Sequence, residues 1–210
     1  MRTKIFCTLS ALFFTATSVY AKSIAQGTDI IGLGIRLGVY NTIVHDKGNN
    51  TSSNGRAGDF IYPISFDKGI SDRLTIGAQF RYNSFILAKD TTGNQINQAY
   101  GIDLGVDGAF HLVRSQHTDL YIQAFLGYGY LKLANTNLNN QGTYTASGVT
   151  YGLELGARFY LGDHFGILLN FGYAGYYYPN GVAKGLGGAS DHLSIFFTGT
   201  TYGTGLCYKF

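Results

Sequence analysis

The stretch TGTTYGTGLCYKF, Thr198 to Phe210, decides the fold. Taken backwards from Phe210, every second residue is Phe210, Tyr208, Leu206, Thr204, Tyr202 and Thr200. The residues between them are Lys209, Cys207, Gly205, Gly203 and Thr201. A period of two is the side-chain period of a β-strand. Here it sorts an aromatic, aliphatic and threonine row from a row of glycine and polar residues. The stretch stops on an aromatic side chain without a polar tail. Such an end is expected inside a structure, on a strand paired along both edges, as closure of a barrel requires.

The same alternation recurs seven times upstream. Ile31, Leu33, Ile35, Leu37 and Val39 oppose Gly32, Gly34, Arg36 and Gly38. Phe60, Tyr62, Ile64 and Phe66 form the apolar row of a second strand, where Pro63 cannot donate to a ladder and predicts a bulge or irregularity. Leu74, Ile76, Ala78, Phe80 and Tyr82 alternate with Thr75, Gly77, Gln79, Arg81 and Asn83. Ile102, Leu104, Val106 and Phe110 alternate with Asp103, Gly105, Asp107 and His111. A fifth strand sets Ile122, Leu126, Tyr128 and Tyr130 against Gln123, Gly127 and Gly129. A sixth sets Leu153, Leu155 and Phe159 against Gly152, Glu154, Gly156 and Arg158, and a seventh sets Phe165, Ile167, Leu169, Phe171 and Tyr173 against Gly166, Asn170 and Gly172. Polar segments at 41–58, 86–99, 134–148 and 178–193 follow strands one, three, five and seven; short turns follow the others. This long-short rhythm predicts an all-β, eight-stranded antiparallel up-and-down barrel with its four long connections at one end.

Composition and the N-terminus set the compartment. Arg2 and Lys4, an apolar core from Ile5 to Val19 and the small-x-small Val19-Tyr20-Ala21 make residues 1–21 an expected signal peptide, leaving 22–210 as the barrel domain. Removing residues 1–21 lowers Lys plus Arg from 15 to 13 against 12 Asp plus Glu, so the mature chain is nearly neutral. Its basic residues are scattered, which excludes a nucleic-acid footprint. One cysteine, Cys207, is left, so no intrachain disulfide forms. The chain has 30 Gly, 17 Tyr and 15 Phe, a mixture that suits a barrel with glycines inside and aromatics at interfaces.

Which row faces in decides between a soluble and a membrane barrel. The first row is almost free of charge in all eight strands, whereas the second carries Arg36, Arg81, Asp103, Asp107, Glu154, Arg158 and Lys209. Facing water, the first row would be an apolar belt far larger than a normal exposed patch. Facing lipid it is what the solvent demands, and a closed barrel satisfies every backbone group there. The chain is therefore expected to span a membrane with its charges inside.

The export signal, eight alternating strands, four long connections and terminal Tyr208-Lys209-Phe210 resemble the small OmpA/OmpX-type eight-stranded outer-membrane β-barrel proteins over the whole mature chain. The resemblance implies residence in the outer membrane of a Gram-negative-type bacterium, among lipid and lipopolysaccharide. It implies periplasmic chaperones and the barrel-assembly machinery as biogenesis partners, with Tyr208 and Phe210 as the assembly signal. It also implies long loops at the cell surface, open to an unknown surface ligand, and short turns in the periplasm.

Chemistry is sparse. Eight strands enclose a lumen only wide enough for side chains, so Arg36, Arg81, Arg158 and Lys209 are expected to pair with Asp103, Asp107 and Glu154 as a structural network. The alternative is a narrow porin-like channel lined by the same groups. His192-x-Ser194 is similar to the motif of lipid A deacylase barrels. No Asp or Glu follows Asp191, so the orienting acid of a triad is missing and no enzyme is expected. His45, His111, His117, His164 and His192 lack ligand spacing, and no metal or cofactor site is expected. Gly32-x-Gly34, Gly127-x-Gly129 and Gly203-x-Gly205 open no helix and make space. Tyr40, Tyr82, Tyr128, Tyr130, Tyr173 and Tyr176–Tyr178 are expected as interface girdles.

Overall fold

A computed structural model describes residues 24–87, 96, 98–135, 142–184 and 193–210. The expected signal peptide, together with Asp191 and His192, lies outside the described residues. These form eight strands: β1 (Asp29–Asp46), β2 (Thr51–Gly69), β3 (Leu74–Leu87), β4 (Gln98–Arg114), β5 (Thr118–Asn135), β6 (Gly142–Leu161), β7 (Phe165–Lys184) and β8 (Leu193–Lys209). Each pairs antiparallel with its neighbour, and β8 returns to β1 to close the barrel. The last strand has partners on both edges, Leu206 lying opposite Leu33 on β1 and Ile167 on β7. Closure leaves no sheet edge, and every backbone polar group of the spanning wall can find a ladder partner.

The two rows separate as their chemistry requires. Outward residues include Leu33, Leu104, Leu126, Leu153 and Leu161, the last 69% exposed. Aromatics gather at the two rims of this apolar band. Phe165, Tyr208 and Phe210 pack together near the short turns. Tyr62, Tyr82 and Tyr100 form a continuous row of rings nearer the long connections. An apolar wall between aromatic belts is the surface of a transmembrane barrel. The inward row holds glycine where a ring needs room. A side chain at Gly156 would collide with the ring of Tyr121, and the tyrosine fills the space the glycine leaves.

Three sequence expectations change. Among the described residues, much of the polar sequence at the long end is paired strand and not loop. β1 and β2 stay paired up to Asp46 opposite Thr51, so 41–58 is a β-hairpin with a turn at 47–50. Segments 134–148 and 178–193 likewise contain paired strand, as in Thr143 opposite Lys184. Second, Pro63 makes no bulge but does interrupt a ladder: pairing of β2 with β1 passes from Leu33–Ile64 to Arg36–Ile61 in the same register without pairs at Pro63 and Tyr62, and pairing with β3 runs on through Pro63 opposite Arg81. The pronounced bulge sits at the other proline. Tyr178 and Pro179 together lie between the pairs Val149–Tyr177 and Ser147–Asn180, opposite Gly148 alone. Third, Tyr40, Tyr176 and Tyr178 are not girdle residues; they are buried inside, at most 1% exposed. Tyr82, Tyr128, Tyr130, Tyr173 and Tyr177 do face out.

Candidate functional site

The lumen is filled in layers. Nearest the short turns, Ile24, Ile30, Tyr160 and Cys207 form an apolar cluster. The segment before β1 is tied across this end by Gly27 N–H donating to the Gly69 carbonyl at 2.8 Å. Above it lies an ionic layer. Arg158 on β6 donates to Asp67 on β2 at 2.7 Å and to Asp119 on β5 at 3.3 Å. Asp119 also accepts from or pairs with His111 Nδ1 at 2.7 Å, and His111 Nε2 meets Thr75 Oγ1 at 3.2 Å. The Arg158 guanidinium rests 4.3 Å from the Tyr121 ring centroid. Strands from opposite sides of the barrel are thus tied through one arginine.

Next to this layer Arg36 on β1 is bonded to Glu154 on β6, both nearly inaccessible. With the Asn170 amide oriented oxygen-inward, it accepts from Arg36 at 3.0 Å. The polar gaps between Arg36, Gln79, Arg158 and Asn170 measure about 20 Å³ each. A gap of that size has room for roughly one water. Gly77 faces both Asp67 and Asp107 across its two ladders, and its missing side chain lets the two carboxyl groups approach.

Toward the long connections the filling turns aromatic. Arg81 lies flat on Phe125, 3.5 Å from the ring centroid, and its Nε donates to Gln79. Asp103 accepts from Asn83 at 2.7 Å. Beyond them Tyr40, Phe85, Tyr176, Tyr178 and Phe197 pack edge-to-face and stacked, with Leu131, Leu133, Tyr144 and Ile195 around them. Ring pairs at these separations add attraction beyond their buried area.

Of the predicted charge network, Arg36, Arg81, Asp103, Asp107, Glu154 and Arg158 are all inside and buried. They do not form one cluster. Arg36 pairs with Glu154, Arg158 pairs elsewhere, and Arg81 is held by an aromatic face although Asp103 is its ladder partner. Lys209 stands apart from the ionic layers, its ammonium 4.6 Å from the Tyr160 ring. Tyr208 and Phe210 face outward on the closing strand. Asp67, Asp119 and His111 complete the ionic layer and were not among the expected partners. Asp59, buried beside Tyr176, was missed as well. The signal for Asp59 and Asp67 was their parity, odd-numbered on a strand whose even row is apolar.

No protein family matches the sequence, and no curated protein matches it. Among solved structures the chain is similar to the outer membrane protein OprG from Pseudomonas aeruginosa, with 12% identity, a TM-score of 0.61 and coverage of 90% of this chain and 99% of that one. It is also similar to the outer membrane protein AlkL in DMPC lipid bilayers, with 11% identity, a TM-score of 0.52 and coverage of 91% and 94%. At these identities the shared property is the fold: an eight-stranded transmembrane barrel spanning nearly the whole length of each.

Proposed function

We propose that this transmembrane barrel resides in an outer membrane and acts through its presence and its surface hairpins, without catalysis and without conducting. One observation carries the proposal: the lumen is occupied across its section, by ion pairs in one half and packed rings in the other. The fold shared with outer membrane barrels supports the compartment, and the apolar wall between aromatic belts supports the orientation across lipid. Tyr208 and Phe210 are proposed as the assembly signal, being outward side chains on the strand that closes the ring. The hairpins at the long end are proposed as the surface-contact elements, with lipid and lipopolysaccharide as the immediate neighbours.

Conductance of the refolded mature protein in a planar bilayer tests this, with insertion confirmed separately by protease protection. A silent bilayer is expected. Discrete, reproducible current steps would replace the proposal with a narrow channel whose ion selectivity changes when Arg81 or Glu154 is neutralised.

A further inference from the structure

One stretch of the outer wall departs from the apolar pattern. Between β5, β6 and β7 a cavity of about 340 Å³ opens outward, lined by Tyr128, Tyr130, Thr145, Ser147, Pro179 and Asn180. The bulge in β7 produces it. Tyr178 and Pro179 lie opposite Gly148 on one side, and Pro179 and Asn180 lie opposite Ser194 on the other, so β7 bows locally. The extra residue also exchanges the faces of the strand. Tyr176 and Tyr178 point in, yet Asn180, Val182 and Lys184 point out.

The position and charge of this groove define its ligand. Tyr128, Tyr130 and Tyr177 belong to the aromatic belt, Tyr177 packing edge-on to Phe196 with centroids 6.1 Å apart. Aromatic belts mark the depth at which acyl chains give way to headgroups. Just beyond it, Lys132 follows Tyr128 and Tyr130 in the outward row of β5, directly across the ladder from Thr145. Lys184 is exposed on β7, and Lys47 reaches in from the β1–β2 turn to donate to Asn180 Oδ1 at 2.9 Å. Asp46 is the carboxylate of this rim among the described residues, and its oxygens are engaged by Gly48 and Asn49 within its own turn.

We propose that this groove seats the phosphorylated sugar headgroup of an outer-leaflet glycolipid, a step that rests on the outer-surface orientation proposed above. Lysines at the rim meet phosphate, hydroxyl and amide side chains meet sugar hydroxyls, and the tyrosines flank the first part of the acyl chains. A diacyl phospholipid offers the charge without the sugar. A free phosphate offers neither sugar nor chains.

The test uses the mature protein folded into nanodiscs containing diphosphoryl lipid A, dephosphorylated lipid A or phosphatidylglycerol, with retained lipid counted by native mass spectrometry. Retention of one diphosphoryl lipid A, at least about tenfold preferred over phosphatidylglycerol, is the expected result. Lys47→Gln, Lys132→Gln and Lys184→Gln together should lower that retention about a hundredfold, at roughly a fivefold loss per lysine. Ser147→Val with Asn180→Leu should erase the preference for lipid A while leaving the charge. These side chains lie on the outer surface, and heat-modifiable migration in SDS gels confirms that each variant folds. Equal retention of phosphatidylglycerol, unchanged retention in the lysine variant, or displacement by inorganic pyrophosphate alone overturns the glycolipid site. Failure of protease to reach an engineered cleavage site at 47–50 on intact cells overturns the orientation instead, so the two failures are distinguishable.

Discussion

At the scale of single residues, one ion pair in the lumen shows how a buried charge is offset by an opposite one. Arg36 and Glu154 are 5% and 4% exposed and answer each other from β1 and β6. Removing one member leaves the other desolvated without compensation, which costs about 3–5 kcal/mol, whereas replacing both by apolar groups of similar volume is near neutral or stabilising. Arg36→Met and Glu154→Leu are therefore each expected to lower the unfolding free energy of the barrel, from urea titration in lipid vesicles, by roughly 3–5 kcal/mol. The double variant should recover most of that loss. Additive losses in the double variant would show that the two groups do not act as a pair. Arg158 differs, because two carboxylates and a ring depend on it. Arg158→Met should be rescued in large part by Asp67→Asn, because Asp119 keeps His111 as a partner at 2.7 Å.

At the scale of strands, the bulge at Pro179 decides which faces of β7 are wet. A strict period of two continued from Tyr173 would bury Asn180, Val182 and Lys184 and expose Gly181 and Ala183; the structure has the reverse. Deleting Pro179 is expected to remove the bulge and leave an unbroken alternation, with Tyr178 in, Asn180 out, Gly181 in and Val182 out. A Val182→Cys reporter should then react with an impermeant maleimide in both the parent protein and the deletion variant, and Ala183→Cys in neither. An exchange of the two labelling patterns in the deletion variant would show that the strand slips by one residue and that Pro179 is not the extra residue of a bulge. The same feature marks the limit of what was legible beforehand. Alternation identified eight strands and the inward charges, because sheet geometry imposes it directly on sequence. It lost the thread where parity changes, so 178–193 read as a loop, and Tyr176 and Tyr178 read as girdle residues. Residues 41–58 read as a loop for a different reason. Their Asn, Gly and Ser content argues against strand in isolation, but pairing with β8 along Asn41–Thr198 to Asp46–Leu193 overrides it. Asp67 and Asp119 escaped notice because each sits near a strand end, beside a short turn, where charge is ordinary.

At the scale of the whole molecule, the barrel is taller than the membrane it crosses. A tilted strand needs about 9–11 residues to span the hydrocarbon region. The strands here run from 14 residues in β3 to 20 in β6 and β7. The short turns, such as 162–164 between β6 and β7, leave little height at that end, so the surplus stands beyond the opposite aromatic belt as continued wall. Among the described residues, that end is built in large part of ladder-paired wall. The layers that hold the barrel together, from Ile24 to the Tyr40–Tyr176–Phe197 cluster, lie below that wall's tip. Replacing residues 45–52 with a two-residue Asn-Gly turn joining Val44 to Ser53, which are already ladder partners, keeps Val44 on the core cluster and should therefore leave the barrel folded. The unfolding free energy from urea titration is expected to change by no more than about 1 kcal/mol, because exposed positions away from buried networks contribute little. Surface contacts that depend on this hairpin should disappear, read out as loss of ligand or cell adhesion by bacteria displaying the trimmed protein. If trimming instead abolishes membrane insertion, the extended wall belongs to the folding unit, and a separable surface role for this hairpin is wrong.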